Sequence, residues 1–159
     1  MYHITIQRAE KRASSPKSSS LKRWAKCALA KKIELGEITI RIVDEAEMTS
    51  LNSTFRYKKY PTNVLSFPFT TPDTIELEIP LLGDIVICAA VVNKEAEDQQ
   101  KPVEAHWAHM VVHGIFHLLG YDHETDNDAE IMESLEIETL QALGFANPYE
   151  IGDNIKNYD

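Results

Sequence analysis

The stretch LGDIVICAAVVNKEAEDQQKPVEAHWAHMVVHGIFHLLGYDH, residues 82–123, decides how the chain is organised. Leu82 to Cys88 reads as a strand, and helical segments follow over 89–100 and 103–119. Downstream, a further helical segment runs over 127–143. Upstream, Thr62 to Phe69 is extended, and Pro68 marks an edge strand or a strand end. Residues 70–82, with Pro72 and Pro80, read mainly as loop. Glu37 to Val43 alternates as a strand does, and Asp44 can cap a helix over 45–56. His3 to Gln7 is a first β-branched strand. The loop Ser14 to Ser20 can supply a capping serine to a helix over 20–33. In that helix Leu21, Trp24, Ala25, Ala28 and Leu29 share one face, with Lys and Arg opposite. The order predicts an α+β domain, a small mixed sheet of about four strands covered by about five helices. No internal repeat is present, so residues 1–159 are expected to form a single domain, with a polar, frayed tail from Pro148 to Asp159.

Composition limits the function. A chain of 159 residues that is 43% hydrophobic and 26% charged is ordinary for a globular domain. No apolar run approaches the ~20 residues of a membrane span. MYHITIQRAEKR lacks the apolar core of a secretory signal, so a soluble, cytoplasmic protein is expected. Cys27 and Cys88 are too few for a disulfide framework and suit small buried hydrophobes in a reducing compartment. The net charge of −9 argues against binding nucleic acid by bulk charge. The charge is unevenly spread, however. Residues 1–32 hold nine Lys/Arg against Glu10 alone, which leaves −17 on the remaining 127 residues. This basic N-terminal face could attract a polyanion or could be a solvated helix surface.

Five of the six histidines lie between 106 and 123. His113 and His117 stand one turn apart on one helix face, with ~6 Å of axial rise between them. That spacing lets both imidazoles reach one metal at ~2.0–2.1 Å. Gly120 can end the helix in a left-handed conformation, after which Tyr121-Asp122-His123 can deliver a third ligand. Three histidines leave a fourth position open, as in catalytic rather than closed structural zinc sites. The spacing HxxxHxxGxxH matches the metzincin pattern except that Gly114 replaces the glutamate that serves as general base in peptide hydrolysis. His106 and His109 read as surface residues or as neighbours of the ligands. Asp122 can orient an imidazole or can be a solvated turn residue.

HGIFHLLGYDH resembles the HGxLHLxGYDH pattern of the YbeY family, the bacterial endoribonucleases of ribosomal RNA maturation. Two further blocks agree. Leu51-Asn52 through Arg56 and on to Pro61-Thr62-Asn63-Val64-Leu65-Ser66-Phe67-Pro68 resembles the family's LNxxYRxKDxPTDVLSFP, and residues 82–88 resemble its LGDIVIC. The blocks keep the family's order and cover about residues 51–123. Asn63 stands where the family usually has Asp, Lys59 where Asp is frequent, and Phe116 where Leu is usual.

The resemblance implies a single zinc ion on His113, His117 and His123. It also implies cleavage of single-stranded RNA in rRNA processing and ribosome quality control, with no membrane or DNA partner and with association to the ribosome. A zinc ion polarises a phosphoryl oxygen or lowers the pKa of a bound water. Arg56, in the second block, is the candidate catalytic cation for the phosphodiester transition state. No general base stands out; metal-bound hydroxide and the substrate's 2′-hydroxyl both remain open. Ser66 and its flanking prolines are expected to shape an extended segment, and Asp84 to make a backbone or loop contact. Lys22, Arg23 and Lys26 could track phosphates, and Phe67, Phe69 and Trp107 could stack bases or lie in the core. Two other readings stand beside this one. One is a metallohydrolase of another class, such as a peptidase, which Gly114 disfavours. The other is a ribosome assembly factor with a mainly structural metal.

Overall fold

The computed structural model describes residues 1–70 and 78–150. Strands β1 (Tyr2–Arg8) and β2 (Gly36–Val43) pair in parallel. On the other side of β2 lies β4 (Leu81–Cys88), also parallel, and β3 (Val64–Pro68) runs antiparallel to β4 at the edge. The sheet order is therefore β1-β2-β4-β3. Parallel neighbours need long crossovers. Helix α1 (Ser18–Leu29) joins β1 to β2, and α2 (Glu45–Arg56) leaves β2 toward β3 and β4. Then come α3 (Ala89–Asp98), α4 (Val103–Leu118) and α5 (Asp126–Ala142). This is the expected α+β arrangement.

The period-two alternation of the strands divides the core. Ile38, Ile40, Ile42, Ile85 and Ile87 face α1 and α4, where they meet Trp24, Ala28, Val111, Ile115 and Phe116. Val43, Val86 and Cys88 point the other way, onto Leu65 and onto Met48 and Leu51 of α2. Helix α4 is buried nearly all round, because the sheet, α1, α3 and α5 all pack against it. No described helix is long and apolar enough to cross a membrane.

Helix signals were met in part. Asp44 caps α2 by accepting the Glu47 amide at 2.8 Å, as expected. No serine caps α1: its N-cap is Lys17, whose side chain makes no cap bond, and the helix spans Ser18–Leu29 rather than 20–33. The serines have another partner. Arg8, at the end of β1, donates to Ser15 Oγ at 2.6 Å and to Ser18 Oγ at 3.2 Å. β4 begins at Leu81, one residue before the expected Leu82; residues 71–77 of the segment expected as loop lie outside the described residues. A frayed tail from Pro148 was expected, yet Tyr149 is anchored: its hydroxyl donates to Glu136 at 2.6 Å. The remainder of that tail, 151–159, lies outside the described residues.

Candidate metal centre

The C-terminus of α4 builds the site. After Leu119 the chain enters Gly120 at φ +98°, a conformation that only glycine adopts without strain. The Gly120 N–H donates to the His117 carbonyl at 3.0 Å and the Tyr121 N–H to the Phe116 carbonyl at 3.0 Å. This is a Schellman stop, completed by the edge-to-face contact of Tyr121 on Phe116. Lys32, just past α1, locks it by donating to the Leu119 carbonyl at 2.6 Å while its ammonium sits over the Tyr121 ring. The turn returns the chain so that His123 faces His113 and His117. One ligand nitrogen from each of the three lies within 4.8 Å of the other two. The ring centroids are 4.6, 5.2 and 5.7 Å apart.

The hydrogen bonds fix which nitrogens are free to bind. His117 Nδ1 lies 3.0 Å from the Tyr121 carbonyl, which can only accept, so Nδ1 carries the proton. His113 Nδ1 lies 2.9 Å from Glu136 Oε2. Burial pushes the Glu136 carboxyl up, but hydrogen bonds from His109 and His113 outweigh this and hold it below the usual carboxylate range. It is therefore an anion, and His113 Nδ1 donates. The two Nε2 atoms then face each other at 3.1 Å, close enough to share a proton or to flank a metal cation. The separation is close to the ~3.3 Å that two nitrogens 2.0–2.1 Å from a tetrahedral ion keep. Burial, reinforced by His113 and His123, lowers the His117 pKa to about 4, so its lone pair is available at neutral pH. The donor set fits a metal ion.

Around the histidines lies a cleft of about 540 Å³. Arg56 lines it from the end of α2, with Lys58 and Tyr60 beside it, and Asn63 to Ser66 of the β3 edge complete the wall. Arg56 and the three histidines, separated by more than fifty residues in sequence, thus border one space. Tyr57, which ends α2, has φ 58°, and its side chain is 91% exposed. Asn52 is buried and donates to the Tyr60 carbonyl at 2.8 Å, tying this loop to α2. Among the described residues, no carboxylate lines the cleft.

Other expectations fall out differently. Gly114 faces the sheet, not the histidines: a Cβ there would stand 3.0 Å from Ile85 Cγ2. Ser66 shapes its segment by donating to the Gly114 carbonyl at 3.0 Å. Asn63 is held by the fold, its amide donating to Glu95 at 3.1 Å and its Oδ1 accepting from the Val64 amide at 2.6 Å. Trp107 is not a base platform; it is buried in the core, with its indole N–H donating to Asn93 at 2.8 Å. Phe67 is half-buried against Phe55, whereas Phe69 is exposed. Asp122 accepts from the Glu124 amide at 3.2 Å, the partner of a turn residue. Nor is His106 or His109 at the surface. His106 is buried against Glu95 at 2.9 Å, and His109 is buried against Glu136 at 2.6 Å. Burial, opposed by the hydrogen bond that His109 donates to Glu136, keeps the His109 pKa below the ordinary imidazole value. Burial and the nearby Glu136 push the Tyr149 hydroxyl upward, so it stays protonated and donates. Sequence reasoning missed Glu136 and Tyr149. A signal existed for Glu136: it is an acid on the helical stripe of Met132, Thr139 and Leu140.

Comparison with known proteins finds relatives over nearly the whole chain. Residues 4–144 match the family model described as Endoribonuclease YbeY. The chain is 56% identical over 149 residues to the Endoribonuclease YbeY of Pseudomonas putida strain F1, covering 94% of each chain. It is 50% identical over 147 residues to that of Nitrosococcus oceani, covering 92% of this chain and 96% of the relative. Its fold is similar to the solution structure of TM1509 from Thermotoga maritima, with a TM-score of 0.58 and 27% identity over 98% of this chain and 99% of that one.

Proposed function

The chain belongs to the YbeY endoribonuclease family, hydrolases of RNA phosphodiester bonds, and from that premise we propose that it is a zinc-dependent endoribonuclease acting on single-stranded RNA in ribosomal RNA maturation and ribosome quality control. The proposed setting is the cytoplasm, with ribosomal RNA and the ribosome as partners. The observation that carries the reading is the shared cleft, in which three convergent imidazoles and the Arg56 guanidinium border one space of about 540 Å³.

His113 and His117 would hold the ion through the Nε2 atoms left by their hydrogen bonds, and His123 would complete the set. Zinc bound there supplies Lewis acidity toward a phosphoryl oxygen. Arg56 offers two parallel N–H groups to the phosphate, matched to the charge that its oxygens gather as the bond breaks. Lys58 adds a second cation at the same wall. Tyr57 and Tyr60, both exposed beside these cations, offer ring faces to unpaired bases, which a duplex keeps stacked internally. This favours single-stranded substrate. Gly114, in the place of the zincin glutamate, disfavours peptide hydrolysis.

The test is incubation with single-stranded RNA, duplex RNA and casein, with and without chelator, beside His117→Ala and Arg56→Ala. We expect cleavage of the single strand alone, abolished by chelator and by His117→Ala. Arg56→Ala should lose roughly 100-fold or more in kcat/KM, the scale of one removed transition-state donor. RNA cleavage that survives both chelation and His117→Ala overturns the metal mechanism. Casein cleavage revives the peptidase. A metal-loaded protein inert in every assay supports the assembly-factor reading.

A further inference from the structure

Among the described residues, Glu136 is the only fully buried carboxylate, and nothing above gives it a catalytic task. Burying an anion is costly unless its lone pairs meet donors. Three donors converge on this one. Oε1 accepts from the Tyr149 hydroxyl at 2.6 Å and from His109 Nε2 at 2.6 Å. Oε2 accepts from His113 Nδ1 at 2.9 Å. Three separate pieces of chain thus meet at the carboxylate: α4 with His109 and His113, α5 with Glu136 itself, and the segment beyond α5 with Tyr149.

The two helical ligands are held differently. The partner of His117 Nδ1 is the Tyr121 carbonyl, four residues on within the same turn. Its ring orientation is local to the end of α4. The Nδ1 proton of His113 goes instead across to another helix, α5. A neutral imidazole carries one proton and can place it on either nitrogen. On Nε2 it would block metal binding; on Nδ1 it leaves Nε2 free. The anionic oxygen 2.9 Å away selects the second arrangement.

We propose that Glu136 is the positioning residue of the metal centre: it accepts a hydrogen bond from the Nδ1–H of His113 and so aims the Nε2 lone pair at the ion, while His109 and Tyr149 clamp the carboxylate in place. The inference rests on the zinc reading above and adds to it that α5 and the segment carrying Tyr149 belong to the centre, although neither supplies a ligand. Carboxylates in this relation to a ligating histidine raise its basicity and lock its orientation.

The test combines zinc titration of the full chain against a chromophoric chelator with imidazole ¹⁵N NMR of the zinc-free protein at about pH 8, above the ordinary imidazole range. In the wild-type chain His113 and His117 should both be Nδ1–H tautomers. Glu136→Gln keeps the shape but sets an amide NH₂ against His113 in one orientation, the side with a single donor, or against His109 and Tyr149 together in the other. It should disturb the tautomer of His113 and leave that of His117, and it should weaken zinc binding roughly 10- to 100-fold. Tyr149→Phe, which removes one clamp, should weaken zinc less than Glu136→Gln does, and Arg56→Ala should bind zinc as the wild type does. Zinc binding lost in His117→Ala but unchanged in Glu136→Gln overturns this inference alone. A wild-type chain that takes up no more zinc than His117→Ala overturns the zinc reading and the inference with it. An Nε2–H tautomer at His113 in the wild type also overturns the inference, and this result needs no variant to fold.

Discussion

Gly114 occupies the position at which a metzincin carries its glutamate, and the sheet leaves it no room for one. A Cβ there would already press on Ile85 Cγ2 at 3.0 Å and Cδ1 at 3.3 Å, and would meet Val64 Cγ2 at 3.4 Å. The Gly114 carbonyl is also bound by Ser66 of the edge strand. Gly114→Glu therefore restores a motif on paper and drives a carboxylate into the α4–sheet interface. It should cost more than about 3 kcal/mol in a urea titration, with no gain of casein cleavage; a stable variant with peptidase activity would overturn this account. The convergence of His113, His117 and His123 was legible in sequence because it depends on one helix turn and one glycine. Glu136 was not, because its partners His109 and His113 lie on another helix and Tyr149 beyond its own, and only the fold brings them together. The burial of His106 escaped for the same reason, since its partner Glu95 lies on α3.

The decisive element is the C-terminus of α4, because its stop sets the direction in which His123 returns. Gly120 has open space where a Cβ would go, the nearest atom being Lys32 Nζ at 3.9 Å, so the penalty for a side chain there comes from φ +98° rather than from crowding. Gly120→Ala should lower stability by about 1–2 kcal/mol in thermal or urea unfolding. It should also weaken zinc binding, since relaxing the turn moves His123 away from the other two. Gly120→Asn, which tolerates the left-handed region better, should recover part of both losses; equal loss in Asn and Ala would argue against a φ-based cost. At this scale the sequence was informative about which elements exist, because their apolar periods are strong. Their ends depended on partners elsewhere in the fold. Asp44 capped α2 as its position suggested, whereas Arg8, from a different strand, had engaged the serines that were expected to cap α1.

Across the whole molecule, the sheet order β1-β2-β4-β3 could not be read from periodicity, because β2 and β4 pair across the intervening α2 and β3. That order is what makes the cleft: it leaves β3 at the edge beside α4, with the end of α2 carrying Arg56 to the same opening. The charge pattern gains a meaning from the same placement. An acidic protein of net −9 must attract a polyanion locally. One cationic region is the cleft wall with Arg56 and Lys58. The other is α1, whose apolar face is buried through Leu21, Trp24, Ala25, Ala28 and Leu29, leaving Arg23 and Lys26 exposed and Lys22 at its border. Lys32, just beyond α1, touches the turn between His117 and His123, so the basic helix meets the site at that end. A strand long enough to leave the cleft over this turn would reach α1, whereas a short one would not. Replacing Lys22, Arg23 and Lys26 together by Ala should therefore spare the fold, since surface substitutions of this kind cost at most about 0.5 kcal/mol each. It should reduce the slope of log K against log salt for a long single-stranded RNA by up to roughly 2, at about 0.7 for each phosphate that is no longer neutralised. For an oligonucleotide only a few residues long, binding should be unchanged. The measurement is a fluorescence-anisotropy titration over a range of salt concentrations with both RNAs. An unchanged slope for the long RNA would make α1 a solvated surface and leave Arg56, Lys58 and the metal centre as the whole of the RNA site.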